Sequence, residues 1–344
     1  MTKAGFGVIG AGIVGGDLHA QVYHRMPQAE LVAICDLNEA RAREVAERYD
    51  APHVYVDYRD LLARSDIAAV SIATPDFAHR EIAVAAAEAG KHILVEKPLA
   101  TTVEDAEAIL RAADAASVKL MVDFQNRVNP AFVATRKAVL DGDLGELKYI
   151  YARLSNTTFV PTQMLPWASK SSALWFLASH TLDMSCWLLD DRPKRVYAVS
   201  RSGVLRELGI DTQDFHIAIV EFERGAVVTL ENSWILPETE PNVFNFKMEL
   251  LGSEGVMHIN TSDHRMVEKF TRADASLPDV LGLSADASTV RLNGFVLEAI
   301  ARFVDAVVDD APVLATGAEA ALVTRVLAAV EESAQSGQPV ELDW

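Results

Sequence analysis

Residues 8–15 do most to limit the folds open to this chain. The apolar pair Val8-Ile9 ends in Gly10-Ala11-Gly12-Ile13-Val14-Gly15, and a helical pattern follows. A strand that enters a helix through glycines spaced this way is a phosphate-cradling turn. Gly10 makes the bend, Gly12 lets a ligand approach the backbone, and Gly15 lets helix and strand pack closely. The helix amino terminus then offers N–H groups and a positive dipole end to a pyrophosphate.

The surrounding pattern agrees. Short apolar runs at Phe6–Ile9, Leu31–Cys35, Ala69–Ala73, His92–Val95 and Lys119–Asp123 alternate with helical stretches over about 13–25, 38–48, 78–89 and 102–116. Such alternation predicts an α/β fold with a doubly wound parallel sheet. Thr101 and Glu104 are expected to form a capping box, and Pro75 and Pro98 to turn the chain out of two strands. Asp36 closes the second strand 21 residues after Gly15. That matches the spacing of about 20 for a carboxylate that accepts from a ribose hydroxyl. A carboxylate there repels a 2′-phosphate, so NAD is favoured, with NADP as the alternative. Arg41 and Arg43 fall on the next helix, where a solvated face shared with Glu39 and Glu44 is expected.

A second signal is a lysine. Ile93-Leu94-Val95 reads as a buried strand, and Glu96-Lys97-Pro98 follows at its carboxyl end, the edge where open α/β sheets bind ligands. A dinucleotide and a proton-handling amine at one sheet edge point to hydride chemistry.

Bulk properties exclude other classes. With 344 residues, half of them hydrophobic, the chain can fill the cores of two domains. The formal charge of −18, with no Lys/Arg cluster, argues against nucleic acid and anionic membranes as partners. No apolar run nears the roughly 18 residues of a membrane span. The first strand begins within a few residues of Met1, which leaves no expected room for a signal peptide. Cys35 and Cys186 are the only cysteines and suggest neither a disulfide framework nor a zinc site. A reducing cytoplasm fits, and no metal is expected.

Beyond about residue 124 the texture changes. A helix over 130–140 precedes strand-like runs at Lys148–Leu154, Arg195–Ser200, Ile217–Phe222, Ala226–Trp234, Phe246–Leu251 and Val256–Ile259. Glu223-Arg224-Gly225 reads as a hairpin turn. The stretch 270–290 reads as an exposed loop, and amphipathic helices are expected over 294–308 and 317–336. Between Pro166 and Leu189 an apolar stripe carries His180 and Asp183 on one helical face. Trp167, Trp175 and Phe176 crowd the same stretch. Their faces suit a sugar ring and ordinary packing equally.

Taken in order, these motifs resemble the Gfo/Idh/MocA oxidoreductases, the family of glucose–fructose oxidoreductase and inositol dehydrogenase. The matching residues are the glycine turn with His19, Ala73-Thr74-Pro75 with His79, and Ala89-Gly90-Lys91-His92 leading to Glu96-Lys97-Pro98. Asn126-Arg127 with Pro130, Gly142-Asp143-Leu144-Gly145-Glu146, His180-Thr181-Leu182-Asp183, and Ser333 and Gly337 before Val340 follow. The resemblance implies a Rossmann domain (residues 1–123), then an α/β domain (124–344) with a large, mostly antiparallel sheet. The open face of that sheet is expected to form a homodimer or homotetramer. It also implies Lys97 and His180 as the catalytic pair. Gly10, Gly12, Ile13, Val14, Gly15, Asp36, Thr74, Pro75, His79, Glu96 and Lys97 are then expected around the cofactor. Asn126, Arg127, Asn156, Trp167, Trp175 and Asp183 are expected around the substrate; Arg127 is alternatively a tie between domains. Many relatives carry an aspartate four residues before the histidine, where this chain has Phe176.

The expected reaction is reversible oxidation of a secondary alcohol on a sugar or polyol, the hydroxyl proton passing to Lys97 or His180. A bound NAD that recycles during isomerisation, elimination or glycoside cleavage is one rival. A non-catalytic NAD-binding regulator is another.

Overall fold

The structure is a computed structural model that describes residues 3–262, 269–270, 275–276 and 294–344. The chain divides into two compact units. One comprises Met1–Val128 with Gly282–Ala321, and the other Asn129–Leu281 with Leu322–Trp344. Beside the crossing expected at 123/124, the chain therefore returns to its first unit late in the sequence.

The first unit is built on β1 (Ala4–Ile9), β2 (Ala29–Cys35), β3 (His53–Tyr55), β4 (Ala69–Ile72), β5 (His92–Val95) and β6 (Leu120–Val122). All neighbours pair in parallel, in the order β3-β2-β1-β4-β5-β6. Strand order reverses between β1 and β4, and it is outside the carboxyl ends of strands at such a reversal that ligands bind. The connections carry α1 (Ala20–Arg25), α2 (Glu39–Arg48), α3 (Tyr58–Leu62), α4 (His79–Glu88) and α5 (Val103–Ala116). The near-continuous apolar runs of β1, β4 and β5 follow from burial on both faces of a parallel sheet.

Three local features depart from expectation. The helix expected over 13–25 contains a widened turn at Gly15–His19, where Ala20 N–H reaches Gly15 O before α1 begins. The cap of α5 is Thr102, not Thr101: its hydroxyl accepts from Asp105 N at 3.1 Å. Helical geometry starts at Val103, so Asp105, not Glu104, stands at the third helical position. Arg43 pairs with Glu39 as expected, but Arg41 turns back to donate from Nε to Ala11 O at 2.8 Å. The Arg41 guanidinium is held there by Asp17 at 3.3 Å and Glu44 at 2.9 Å.

The core of this unit is completed from far along the chain. Leu297, Ile300, Phe303 and Val304 pack against Phe6, Val22, Tyr23 and Leu31. Phe6 stacks on Tyr23 at 4.5 Å and meets the edge of Phe303 at 6.1 Å. The residues after these extend the sheet edge, Val122 N donating to Ala315 O at 3.2 Å.

The second unit carries α6 (Pro130–Asp141), β7 (Leu147–Thr157), α7 (Ser179–Leu189), β8 (Pro193–Arg201), α8 (Val204–Glu207), β9 (Phe215–Phe222), β10 (Val227–Leu236), β11 (Phe244–Gly252) and β12 (Val256–Asn260). A two-residue ribbon, β13 (Lys269–Phe270) with β14 (Ala275–Ser276), is followed by α9 (Phe295–Val308), which carries the late core residues of the first unit. α10 (Gly317–Ser336) and β15 (Val340–Glu341) close the chain. The expected 270–290 loop otherwise lies outside the described residues.

The seven-stranded sheet runs β12-β11-β7-β10-β9-β8-β15, antiparallel throughout except for β7 with β10. Burial alternates along β9, the mark of a sheet with one packed face. Gly225, with φ +92°, turns the β9–β10 hairpin as expected. On the packed face Phe132 meets Phe246 at 5.1 Å, and Phe176 meets Trp234 at 5.8 Å. Ser333 on α10 ties this face to β8 by accepting from Ala198 N at 2.9 Å. On the open face Tyr197 opposes Ile219 and Val199 opposes Ile217, with Tyr197, Ile217 and Ile219 exposed.

Candidate active site

Two positions of the glycine turn admit no side chain, Gly10 and Gly15. Gly10 takes φ +98°, and a Cβ there would lie 2.5 Å from Ala73 O. A Cβ on Gly15 would meet Gly10 O at 1.9 Å, so helix and strand touch through bare backbone. At Gly12 nothing lies within 4 Å of an added Cβ, and Ile13 is 56 % exposed, so the outer side of the turn is open. Asp36 is fixed beside it: Oδ2 accepts from Ala11 N at 2.7 Å and Oδ1 from Asn38 N at 2.8 Å. A turn that is open at Gly12, with a fixed carboxylate at the β1/β4 reversal, fits a dinucleotide.

Two neighbouring loops are bound to each other by His79. Its Nε2 lies 3.1 Å from Thr74 O and its Nδ1 2.8 Å from Pro98 O. The ring thus braces Thr74-Pro75, after β4, against the cis Lys97–Pro98 peptide after β5. Thr74 Oγ1 is buried with no hydrogen-bond partner among the described residues.

Lys97 sits in a charged cluster. Burial pushes its amine below the ordinary lysine range, opposed by Glu96, Asp76 and Asp123. Burial also works on Glu96, but a hydrogen bond from His19 and the charges of His19, Lys97 and His79 hold its carboxyl below the usual range. Asp123 goes the other way, pushed well above the carboxylate range by burial and by Glu96. His19 Nε2 is 3.0 Å from Glu96 Oε1, and its Nδ1 is 2.8 Å from Ser71 Oγ, which also bonds Tyr23.

Asn126 and Arg127 lie in a short helical turn after β6, both buried. Arg127 pairs with Glu319 at 2.7 Å and donates to Leu314 O at 3.3 Å. These contacts commit its guanidinium to the returning segment of its own unit.

The remaining expected residues belong to the second unit. His180 and Asp183 are buried in the first turns of α7, which follows a widened turn at Leu174–Ala178. Asn156 does not follow its strand: β7 continues to Thr157 because Asn156 pairs with Phe244 of β11. Its Oδ1, Ser155 Oγ, Ser172 Oγ, Ser179 Oγ and Trp234 Nε1 are all buried with no hydrogen-bond partner among the described residues. The Leu174–Ala178 turn packs on β7 and β10, which carry three of these atoms. Trp175 is buried and Trp167 half-buried. Phe176 lies between Trp167 at 6.2 Å and Trp234 at 5.8 Å.

Sequence reasoning passed over Asp123, Ser71, Tyr23, Ser155 and Trp234. Asp123 alone had a usable signal, an acidic residue directly after an apolar strand at the ligand-binding edge.

A parallel sheet with this glycine turn at its reversal, a ribose-spaced carboxylate and an amine at the same edge defines a nucleotide-dependent oxidoreductase. Residues 4–124 match the model described as the oxidoreductase family, NAD-binding Rossmann fold, and residues 132–258 match the GFO/IDH/MocA C-terminal domain. The chain is 31 % identical over 264 residues to levoglucosan dehydrogenase of Pseudarthrobacter phenanthrenivorans, covering 67 % of each chain. It is 29 % identical over 255 residues to inositol 2-dehydrogenase of Rhizobium meliloti, covering 73 % of this chain and 74 % of the relative. The crystal structure of GenD2 from gentamicin A biosynthesis, in complex with NAD, superposes with a TM-score of 0.86 at 26 % identity, covering 100 % of this chain and 97 % of that one. The chain belongs to the Gfo/Idh/MocA family of oxidoreductases, and its cofactor is NAD. No described helix is long and apolar enough to cross a membrane.

Proposed function

We propose that the protein is a dehydrogenase that reversibly oxidises a secondary alcohol of a sugar or polyol, with Lys97 and His180 as its proton-handling residues. The observation that carries this reading is the Lys97 amine, held below its usual proton affinity by burial at the carboxyl end of β5. An ordinary lysine, near pKa ~10.4, is a poor base at neutral pH; a desolvated one is a workable base.

Gly10, Gly12, Ile13, Val14 and Gly15 would hold the pyrophosphate, and Asp36 the ribose. Thr74, Pro75, His79 and Glu96 would shape the nicotinamide end. NAD supplies the hydride acceptor when bound. The hydroxyl proton would pass to Lys97 or His180. Arg41 is engaged by Asp17, Glu44 and Ala11 O, and Arg43 by Glu39, so neither is offered to a 2′-phosphate. That supports NAD over NADP.

For the substrate, the unpartnered Asn156 Oδ1 suits a hydroxyl, as do Asn126 and Asp183, while Trp167 and Trp175 suit the apolar face of a ring. Arg127 would act on the substrate only through the backbone it anchors. The names of the relatives, a levoglucosan and an inositol dehydrogenase, support a polyhydroxylated ring.

The test is a panel of sugars and polyols followed by nicotinamide absorbance with NAD and NADP. Free NADH that accumulates with turnover supports the dehydrogenase; turnover without it favours a recycling cofactor. Lys97→Ala should lower kcat by roughly 10³-fold with NAD affinity retained. Retained turnover would remove the mechanism.

A further inference from the structure

We propose that Asp123 is a positioning residue for the Lys97 amine: it donates a proton to Glu96, so that the buried Glu96–Asp123 pair carries one negative charge instead of two. The inference deepens the proposed function and rests on its reading of Lys97.

The geometry comes from the sheet. Val95 pairs with Val122, and Asp123 N donates to Val95 O at 2.9 Å, so two carboxyl side chains leave adjacent parallel strands at nearly the same level. His19 joins them from the widened turn after β1. One oxygen of each carboxyl and a ring nitrogen of His19 all lie within 4.8 Å of one another. The side chain of Asp123 is 2 % exposed, that of His19 0 % and that of Glu96 13 %, so water screens the pair only from the Glu96 side. Two ionised carboxylates this close and this dry repel strongly, and one retained proton removes the repulsion.

The hydrogen bonds indicate which group keeps it. Tyr23 OH and Ser71 Oγ lead to His19 Nδ1, and with Glu96 ionised a neutral His19 satisfies the chain: Tyr23 donates to Ser71, Ser71 to Nδ1, and Nε2–H to Glu96 Oε1 at 3.0 Å. Glu96 therefore has a donor on one side and Lys97 as its sequence neighbour. His19 Nε2 is 3.8 Å from Asp123 Oδ2, too far for a hydrogen bond, and Asp123 Oδ1 has no partner among the described residues. The acid form belongs on Asp123. The charged and titratable groups acting on the pair agree: His19, His79 and Lys97 favour an ionised Glu96, while Glu96 and burial favour a neutral Asp123. Tyr23 is itself held neutral by burial and by the nearby Glu96 carboxylate, and Asp76 acts on Lys97 from the β4 side. The outcome is a fixed Glu96 carboxylate facing Lys97 without a second full charge to lock the amine in its protonated form.

The test uses the full-length protein and two readouts that need no substrate. Infrared spectroscopy at neutral pH should show the carbonyl stretch of a buried, protonated carboxylic acid, lost in Asp123→Asn. Its absence from the unmodified protein would overturn the proposal even if the variant failed to fold. NMR titration of the Lys97 ε-carbon should show its midpoint lowered roughly tenfold in proton affinity by Glu96→Gln, and moved far less by Asp123→Asn, which replaces one neutral donor by another. An equal shift in both variants would mean that Asp123 carries its own charge. A stoichiometric divalent ion in the purified protein, lost in Asp123→Asn, would equally overturn the proposal, because a metal on these atoms displaces the proton. With a working substrate, Asp123→Leu should reduce kcat about tenfold, the worth of one hydrogen bond, and Asp123→Asn should recover it. If Lys97→Ala keeps its turnover while the infrared band is present, the dehydrogenase mechanism fails and the shared proton stands.

Discussion

At the scale of single residues, the chemistry of this protein is set by which charges are left dry and which are answered. Lys97 has its proton affinity lowered by burial and partly restored by Glu96 and Asp76. If the neutral amine is the base, alcohol oxidation should accelerate as pH rises toward the Lys97 midpoint and level off above it. That midpoint should lie below the ~10.4 of a free lysine, and the rate–pH profile of kcat checks it. Asp36 holds Ala11 N at 2.7 Å and is our candidate for the ribose. Asp36→Ala should weaken NAD binding about ten- to hundredfold by calorimetry, the loss of a charge-assisted hydrogen bond and of the order it imposes on the turn.

At the scale of elements, short-range signals were legible where they depend on periodicity and spacing. The apolar runs of β1, β4 and β5, the glycine turn, the Gly225 hairpin and the apolar stripe of α7 could all be read from residue order. A one-residue shift could not be. The cap of α5 moved from Thr101 to Thr102 because both are threonines, and only the backbone decides which hydroxyl meets a free N–H. Thr102→Ala should cost about 1 kcal/mol in thermal or urea unfolding, and Thr101→Ala only a few tenths. The widened turns at Gly15–His19 and before His180 were also invisible, since they rest on hydrogen-bond choices that leave no compositional trace. Arg41 illustrates a third kind of miss. Its i,i+3 partner Glu44 was visible, but the carbonyl of Ala11 that captures Nε lies 30 residues away. Asp123 looked like any acid after a strand; only the fold brings Glu96 beside it.

At the scale of the whole molecule, the open face of the seven-stranded sheet remains to be covered. Tyr197, Val199, Ile217 and Ile219 form cross-strand pairs there, and Tyr151 and Arg153 both reach Glu231 further along the sheet. An ordered face of exposed apolar residues beside satisfied charges is the anatomy of an interface. A homo-oligomer built through this face is our expectation, and Ile219→Glu should dissociate it, as sedimentation would show by a fall in mass with unfolding cooperativity retained.

The late return of the chain also has a consequence for biosynthesis. Phe6, translated long before α9, finds its edge-on partner in Phe303. The nucleotide-binding half therefore cannot bury its interior while only its own early strands have been translated. It must wait, partly open, until α9 emerges. Nascent chains stalled before that helix should engage holding chaperones through the unclosed wall around Phe6 and Tyr23, and release them once it has been made.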